Sequence, residues 1–70
     1  MNRIQKNKLL GAKFTAVNPR DREKHFLVTR VTEEEDEPMM VVLEAVYSKQ
    51  EYTFIWRELK DDTLWKLGWQ

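Results

Sequence analysis

Apolar side chains recur with the two-residue period of β-strands along three segments of the chain. The first covers residues 24–32 and is rich in the β-branched and aromatic side chains that strands favour. Strict alternation places Phe26 and Val28 on one face of this strand and Leu27 and Val31 on the other. One face is therefore expected to contribute to a core.

The second and third segments cover residues 39–47 and 51–57, and a short polar connection separates them. This arrangement predicts an antiparallel hairpin. In the third segment Tyr52, Phe54 and Trp56 share one side, whereas the intervening residues are mostly polar. The aromatic side is expected to face the core.

A fourth strand is predicted over residues 12–17. It is expected to end at Asn18 and Pro19, because proline cannot donate to a strand ladder and keeps its predecessor away from the helical region. The charged residues 19–23 are then expected to form a loop.

The end of the sequence predicts a short helix. Asp61 or Asp62 can cap it, Leu64, Trp65 and Leu67 follow, and Gly68 can stop it. So short a helix is stable only when it packs on a sheet. The predicted fold is therefore mainly β, a small α+β domain: a four-stranded antiparallel meander, curled or half-closed, with one short C-terminal helix packed on it.

The acidic residues 33–37 and Pro38 separate two of the predicted strands. Residues 39–43, which follow, have high β-propensity and carry no charge, so they are an aggregation hazard when exposed. We expect the acidic residues to act as gatekeepers for this segment rather than as an electrostatic docking tail.

Composition indicates one domain spanning residues 1–70. The chain is 41% hydrophobic and 34% charged, with eight aromatic residues to fill a small core. It contains no cysteine and no apolar run typical of a signal peptide or membrane span, which favours a cytoplasmic protein. Residues 1–30 carry a net charge of +6 and residues 31–70 a net charge of −6, and these fields are expected to cancel largely on folding.

Catalysis and metal binding are not predicted. His25 and Ser48 are the only histidine and the only serine, and no pattern around them provides an activating base or an oriented third group. One histidine without cysteine cannot complete a transition-metal shell, and the acidic run lacks the spacing and glycine of a calcium loop. We expect no enzyme activity, no cofactor, and a solvated or hydrogen-bonded ring for His25.

Four stretches of the chain taken together have a family likeness: residues 8–17, 22–26, 56–61 and 65–69. In this combination the chain resembles the small tryptophan-rich conserved hypothetical proteins of bacteria. The family commonly has tryptophan where this chain has Phe14, which keeps an aromatic ring and removes only an indole hydrogen bond. The resemblance implies a shared one-domain fold and brings no catalytic or ligand-binding residues with it.

Two functions remain open at this point. The first is a protein-interaction or assembly module that presents a sheet edge or a surface at Trp65 and Trp69. The candidate core or docking aromatics are Phe14, Phe26, Tyr52, Phe54, Trp56, Trp65 and Trp69. The second is an RNA-associated module, in which basic residues follow the phosphates and exposed rings stack on bases. Its candidate contacts are Arg3, Lys6, Lys8, Lys13, Arg20, Arg22 and Lys24.

Overall fold

The computed structural model describes residues 1–33 and 38–70. Five strands form one antiparallel sheet with the spatial order β4-β3-β2-β1-β5. In chain order the strands are β1 (Lys13–Arg20), β2 (Glu23–Thr32), β3 (Met40–Ala45), β4 (Glu51–Ile55) and β5 (Trp65–Leu67). Two 3₁₀ turns, Lys6–Lys8 and Trp56–Lys60, complete the elements.

The predicted antiparallel, mainly β fold is confirmed, but its details of four strands and one C-terminal helix are wrong. Residues 61–64 form a single turn, in which the amides of Leu64 and Trp65 both donate to the carbonyl of Asp61. The chain then enters β5, which pairs with the free edge of β1. Pairing with β1 gives this segment interstrand hydrogen bonds and buries Trp65, whereas a helix of one or two turns is unstable by itself.

The β1–β2 connection also differs from the prediction. β1 continues through Pro19 to Arg20, and only Asp21 and Arg22 form the turn, both with positive φ (53° and 65°). Two such residues are the signature of a tight hairpin turn that matches the strand twist. The pairing of β1 with β2 is irregular between Thr15 and Arg20, and a bulge of this kind tolerates proline within a strand.

A second irregularity lies in β2 between Val28 and Arg30. Val28 pairs with Leu43, and Val31 pairs with Val41, so the extra residue brings Val31 to the same face as Val28. Val31 accordingly packs against the buried cluster. The predicted position of Val31 on the opposite face is wrong, because a bulge shifts the alternation by one residue.

The sheet has one buried face, which we call the core face, and one largely solvent-exposed face, which we call the open face. Buried side chains of the core face come from every strand except β4, whose Phe54 packs at its border. Leu9 and Leu59, both fully buried, cover this face from outside the sheet. The buried hydrophobic residues are Leu9, Phe14, Phe26, Val28, Met39, Val41, Leu43, Ala45, Leu59 and Trp65.

Asn2 ties the covering segments together. Its backbone amide donates to the carbonyl of Lys60 (2.9 Å), and its side-chain amide donates to the carbonyls of Leu59 (2.9 Å) and Trp65 (2.8 Å). The N-terminal segment is therefore held against the second 3₁₀ turn and β5. The proposed gatekeeping run overlaps residues 34–37, which lie outside the described residues.

Candidate binding cleft and basic groove

An open cleft of about 580 Å³ lies next to the core, at the end of the sheet where β1 turns into β2. β1, β2, β4, the second 3₁₀ turn and the start of β5 all contribute lining residues. The β1 irregularity places Asn18, Pro19 and Arg20 along one wall. The tight turn then brings Asp21 and Glu23 to the same wall within three residues of chain.

Aromatic rings line the interior of the cleft. Trp65 lies edge-to-face against Phe26, with centroids 5.1 Å apart and planes 89° apart, and against Phe54, at 5.7 Å and 75°. Tyr52 meets Phe26 at 6.2 Å and 65°. Perpendicular neighbours of this kind form corners rather than a flat stack, and the geometry is favourable because it brings ring edges to ring faces.

The carboxylate of Glu23 is held at the side of this aromatic surface. The side chain of Tyr52 donates its hydroxyl to one carboxylate oxygen (2.5 Å), and Ser48 donates its hydroxyl to the other. Glu23 is only 8% exposed, although it lies next to a tight surface turn. These two partners come from β4 and from the β3–β4 turn, so the cluster joins two hairpins of the sheet.

The hydrogen bonds shift the ionisation of both acidic groups. Donation by Ser48, and then by Tyr52, holds the pKa of Glu23 below its ordinary value, because hydrogen bonds to the charged form favour ionisation. The hydrogen bond from Tyr52 to Glu23 raises the pKa of Tyr52, since loss of the phenolic proton would remove the donor and place two negative charges together. The stable state is a charged Glu23 beside a neutral Tyr52.

A second depression, which we call the basic groove, has a volume of about 320 Å³ and lies at the start of β1, where Lys13 and Phe14 line it. Arg3, Lys8 and Lys13 line it, together with apolar residues that include Ile4 and Leu67. No acidic residue is among its described lining residues. The groove therefore carries three positive charges close to one another.

The seven cations predicted to contact RNA are not brought together in one face. Arg3, Lys8 and Lys13 meet in the basic groove. The ammonium of Lys6 instead lies 4.9 Å from the ring centroid of Trp56. The remaining three, Arg20, Arg22 and Lys24, lie at or beside the β1–β2 turn.

The aromatic candidates divide between the core, the cleft and the open face. Phe14, Phe26 and Trp65 are buried, and Phe54 is half-buried. Tyr52 is 39% exposed at the rim of the cleft. The predicted assignment of residues 51–57 to one strand is too long, since β4 ends at Ile55 and the 3₁₀ turn begins with Trp56.

Trp69 lies on the open face, away from Trp65. Gly68, with a φ of 75°, redirects the chain after β5, and the indole N–H of Trp69 donates to the carbonyl of Phe26 (2.9 Å). The Lys13 ammonium lies 4.8 Å from the Trp69 ring centroid, and the His25 ring packs at 5.9 Å. Trp65 and Trp69 therefore do not share a docking surface.

His25 and Ser48 each have a different partner. The His25 ring lies within hydrogen-bond distance (2.9 Å) of the Gln70 carbonyl, whereas Ser48 donates to Glu23. Within residues 1–33 and 38–70, no three acidic or imidazole groups are placed to hold a metal ion. The part of the chain that the structure describes has no helix with the length and apolar character needed to cross a membrane.

Residues 12–70 match the family described as Tryptophan-rich protein (DUF2389). The chain belongs to this family. The resemblance seen in the sequence is thereby confirmed, and no activity comes with it, because the function of the DUF2389 family is unknown. No curated protein and no solved structure matches the chain.

All three tryptophans lie within the part that matches DUF2389, and each has a different environment. Trp65 is the centre of the core ring cluster. The ring of Trp56 contacts the ammonium groups of Lys6 and Lys60, at 4.9 and 4.4 Å from its centroid. Trp69 packs on the open face.

Sequence reasoning assigned no binding role to seven described lining residues of the cleft: Ala16, Asn18, Pro19, Asp21, Glu23, Glu58 and Leu64. Glu23 and Asn18 resemble ordinary loop residues, and Glu58 and Leu64 resemble members of a charged turn and an amphipathic helix. The partners of Glu23 are 25 and 29 residues away in sequence, so no local pattern indicates them. The sequence offers only a weak signal for Glu23, an acidic residue at the start of a strand.

Proposed function

We propose that the protein is a non-catalytic binding domain, acting in the cytoplasm, that docks a segment of another protein in the cleft beside its core. The observation that carries this proposal is the cleft itself, an open volume of about 580 Å³ with an aromatic interior. Sites for ligand groups commonly measure about 300–1,000 Å³ and combine apolar walls with a few fixed polar groups. Here Glu23 is such a fixed polar group.

The composition of the rim supports a protein partner. Tyr52 and Leu64 are 39% and 46% exposed there, next to buried rings. Aromatic residues and large apolar groups that surround a desolvated centre are typical of the positions that dominate binding energy in protein interfaces. The rings are already fixed by edge-to-face packing, so little side-chain entropy is lost when a partner binds.

Two further observations favour binding over catalysis and a cytoplasmic location. The only histidine and the only serine each have a structural hydrogen-bond partner and are not directed at each other. The absence of cysteine from 70 residues is typical of a domain that relies on its core rather than on disulfides.

A peptide library selected against the protein tests the proposal. We expect selected peptides to lose binding to the Leu64→Glu variant, which places a charge in the cleft, and to retain it with Ile55→Glu. Ile55 is a matched control, because it is 37% exposed and pairs with Met40 on the open face. Peptides that ignore the first change and are sensitive to the second would contradict the proposal.

The basic groove favours a second candidate function, the binding of single-stranded RNA. Three cations line it without an acid among the described lining residues, and Lys13 also contacts the exposed ring of Trp69. A fluorescent oligouridine titration tests it: binding should weaken steeply with salt as counterions are released. Lys8→Gln should weaken it further and Lys49→Gln, in the β3–β4 turn, should not; no binding at low salt would exclude this candidate.

A further inference from the structure

All four aromatic side chains of the cleft, Phe26, Tyr52, Phe54 and Trp65, line the same open volume. They pack against one another at 65–89°, so different parts of the cleft lining present ring edges and ring faces. The face of an aromatic ring is negative, and a cation within about 6 Å of the ring centroid is attracted to it. A cation bound in the cleft can therefore be attracted by more than one of these rings.

The acidic residues that line the cleft also favour a cation. Among the described residues that line the cleft, Asp21, Glu23 and Glu58 are acidic and only Arg20 is a cation. Each oxygen of the Glu23 carboxylate accepts one hydroxyl, whereas an ionised carboxylate can accept about four hydrogen bonds. The most buried of the three acids therefore keeps acceptor capacity for a ligand.

The rest of the domain shows how its aromatic rings are paired with cations. Lys6 and Lys60 lie over Trp56, and Lys13 lies over Trp69. Among the described residues, no Lys or Arg lies over any of the four cleft rings. The cleft thus combines rings and carboxylates without a cation of this chain placed over the rings.

We propose that the cleft binds the positively charged side chain of an arginine or lysine in the partner protein. This inference rests on the proposed function, since it assumes that the cleft docks a protein segment. The cationic head would lie among the rings with Glu23 and Glu58 as counter-charges, while its alkyl stem covers Leu64 at the rim. An acidic or phosphorylated segment is disfavoured, because three carboxylates would repel it.

The test compares three peptides that differ in one side chain: acetyl-Gly-Gly-X-Gly-Gly-amide, with X as arginine, its neutral isostere citrulline, or glutamate. NMR spectra of the labelled full chain report binding through the indole N–H of Trp65 and the amides of Tyr52 and Leu64. We expect the arginine peptide to bind about two- to fivefold more tightly than the citrulline peptide, the difference made by one partly exposed charge interaction. The glutamate peptide should produce no shift.

Charge variants locate the effect. Glu58→Gln should weaken the arginine peptide by about two- to fivefold, as loss of one exposed counter-charge does. Glu51→Gln is the matched control, because Glu51 is exposed and pairs with Glu44 on the open face. Its affinity should be unchanged.

The outcomes separate the two proposals. Equal binding of arginine and citrulline peptides at the cleft would overturn the cation inference and leave the docking function standing. No shift with any of the three peptides would overturn the inference as well, while the docking function is judged by library-selected peptides. Methylguanidinium alone binding as tightly as the arginine peptide would show that the cleft takes a small cation rather than a protein side chain, and would also overturn it.

Discussion

Replacement of Trp65 by alanine should remove cooperative folding. Trp65 is 7% exposed and lies edge-to-face against three rings, Phe14, Phe26 and Phe54, at centroid distances of 6.4, 5.1 and 5.7 Å. Truncating a core Trp or Phe to alanine costs about 3–5 kcal/mol of the free energy of unfolding. A core of this size supplies about 3–5 kcal/mol in total. The loss equals the whole stability, so the far-UV circular dichroism of the variant should show no sigmoidal thermal transition.

A second tryptophan provides the control. Trp69 is 43% exposed, and its replacement by alanine removes one hydrogen bond, to Phe26, and one face of packing. We expect a cost of about 1 kcal/mol, or roughly 4–8 °C in Tm. A Trp65→Ala protein that still melts cooperatively within this range of the parent would refute the reasoning, because it would show that β5 and its tryptophan are not part of the core.

Three further predictions concern polar groups and the backbone. Lowering the pH should reduce the stability of the protein through Glu23, because folding lowers the pKa of this carboxyl group. The stabilisation by Glu23 is present above its pKa in the unfolded chain and is lost as the pH falls through its pKa in the folded protein. Tyr52→Phe removes one of the hydrogen bonds responsible and should flatten the acid side of a plot of Tm against pH. Asn2→Ala should lower the free energy of unfolding by about 1–2 kcal/mol in urea, because the carbonyls of Leu59 and Trp65 lose their hydrogen-bond donor. Asn7 is exposed, so Asn7→Ala should have little effect; equal effects of the two changes would contradict the role of Asn2 in holding the N-terminal segment. Lys49→Gly should raise Tm, since Lys49 has a φ of 66° and glycine relieves about 1 kcal/mol there; a lower Tm would show that the side chain contributes more than the strain costs.

The sheet was predictable from the sequence because local alternation reports which residues are buried. The alternation of residues 39–47 predicts one strand face that carries Met39, Val41, Leu43, Ala45 and Tyr47. The first four are buried, whereas Tyr47 lies beyond the end of β3 and is 65% exposed. The β3–β4 hairpin followed from a short polar connection, and it is confirmed by the antiparallel pairing of the two strands. These are properties that depend on period and loop length alone.

The parts of the fold that the sequence did not predict depend on contacts between residues distant in the chain. Residues 61–67 have the composition of a short helix, but the free edge of β1, more than forty residues earlier, offers them a ladder. Asp61 still accepts the amide of Thr63 (2.9 Å), as the capping argument required, but it supports one turn only. Tertiary pairing overrides local propensity in a segment too short to be helical by itself.

Irregularities of the strands were equally invisible. Pro19 and the charges around it suggested a loop, whereas the bulge in β1 accommodates proline and both residues of the two-residue turn are non-glycine residues with positive φ. Since the bulge and this turn are what bring Asn18, Asp21 and Glu23 to one wall, the cleft could not be predicted either. A site built from departures from regular geometry leaves little trace in a periodic pattern.

The basic and acidic halves of the sequence do not form separate charged regions in the fold. Asp21 and Glu23 belong to the basic half in sequence, yet in the fold they join Glu58 in the acidic cleft, and Arg3 and Lys8 collect in the basic groove. A cationic peptide and a single-stranded RNA would both bind more weakly as salt rises, because both interactions are electrostatic. Salt dependence alone therefore does not distinguish the two candidate ligands. The residues whose signals change do, since the cleft and the groove have no lining residue in common.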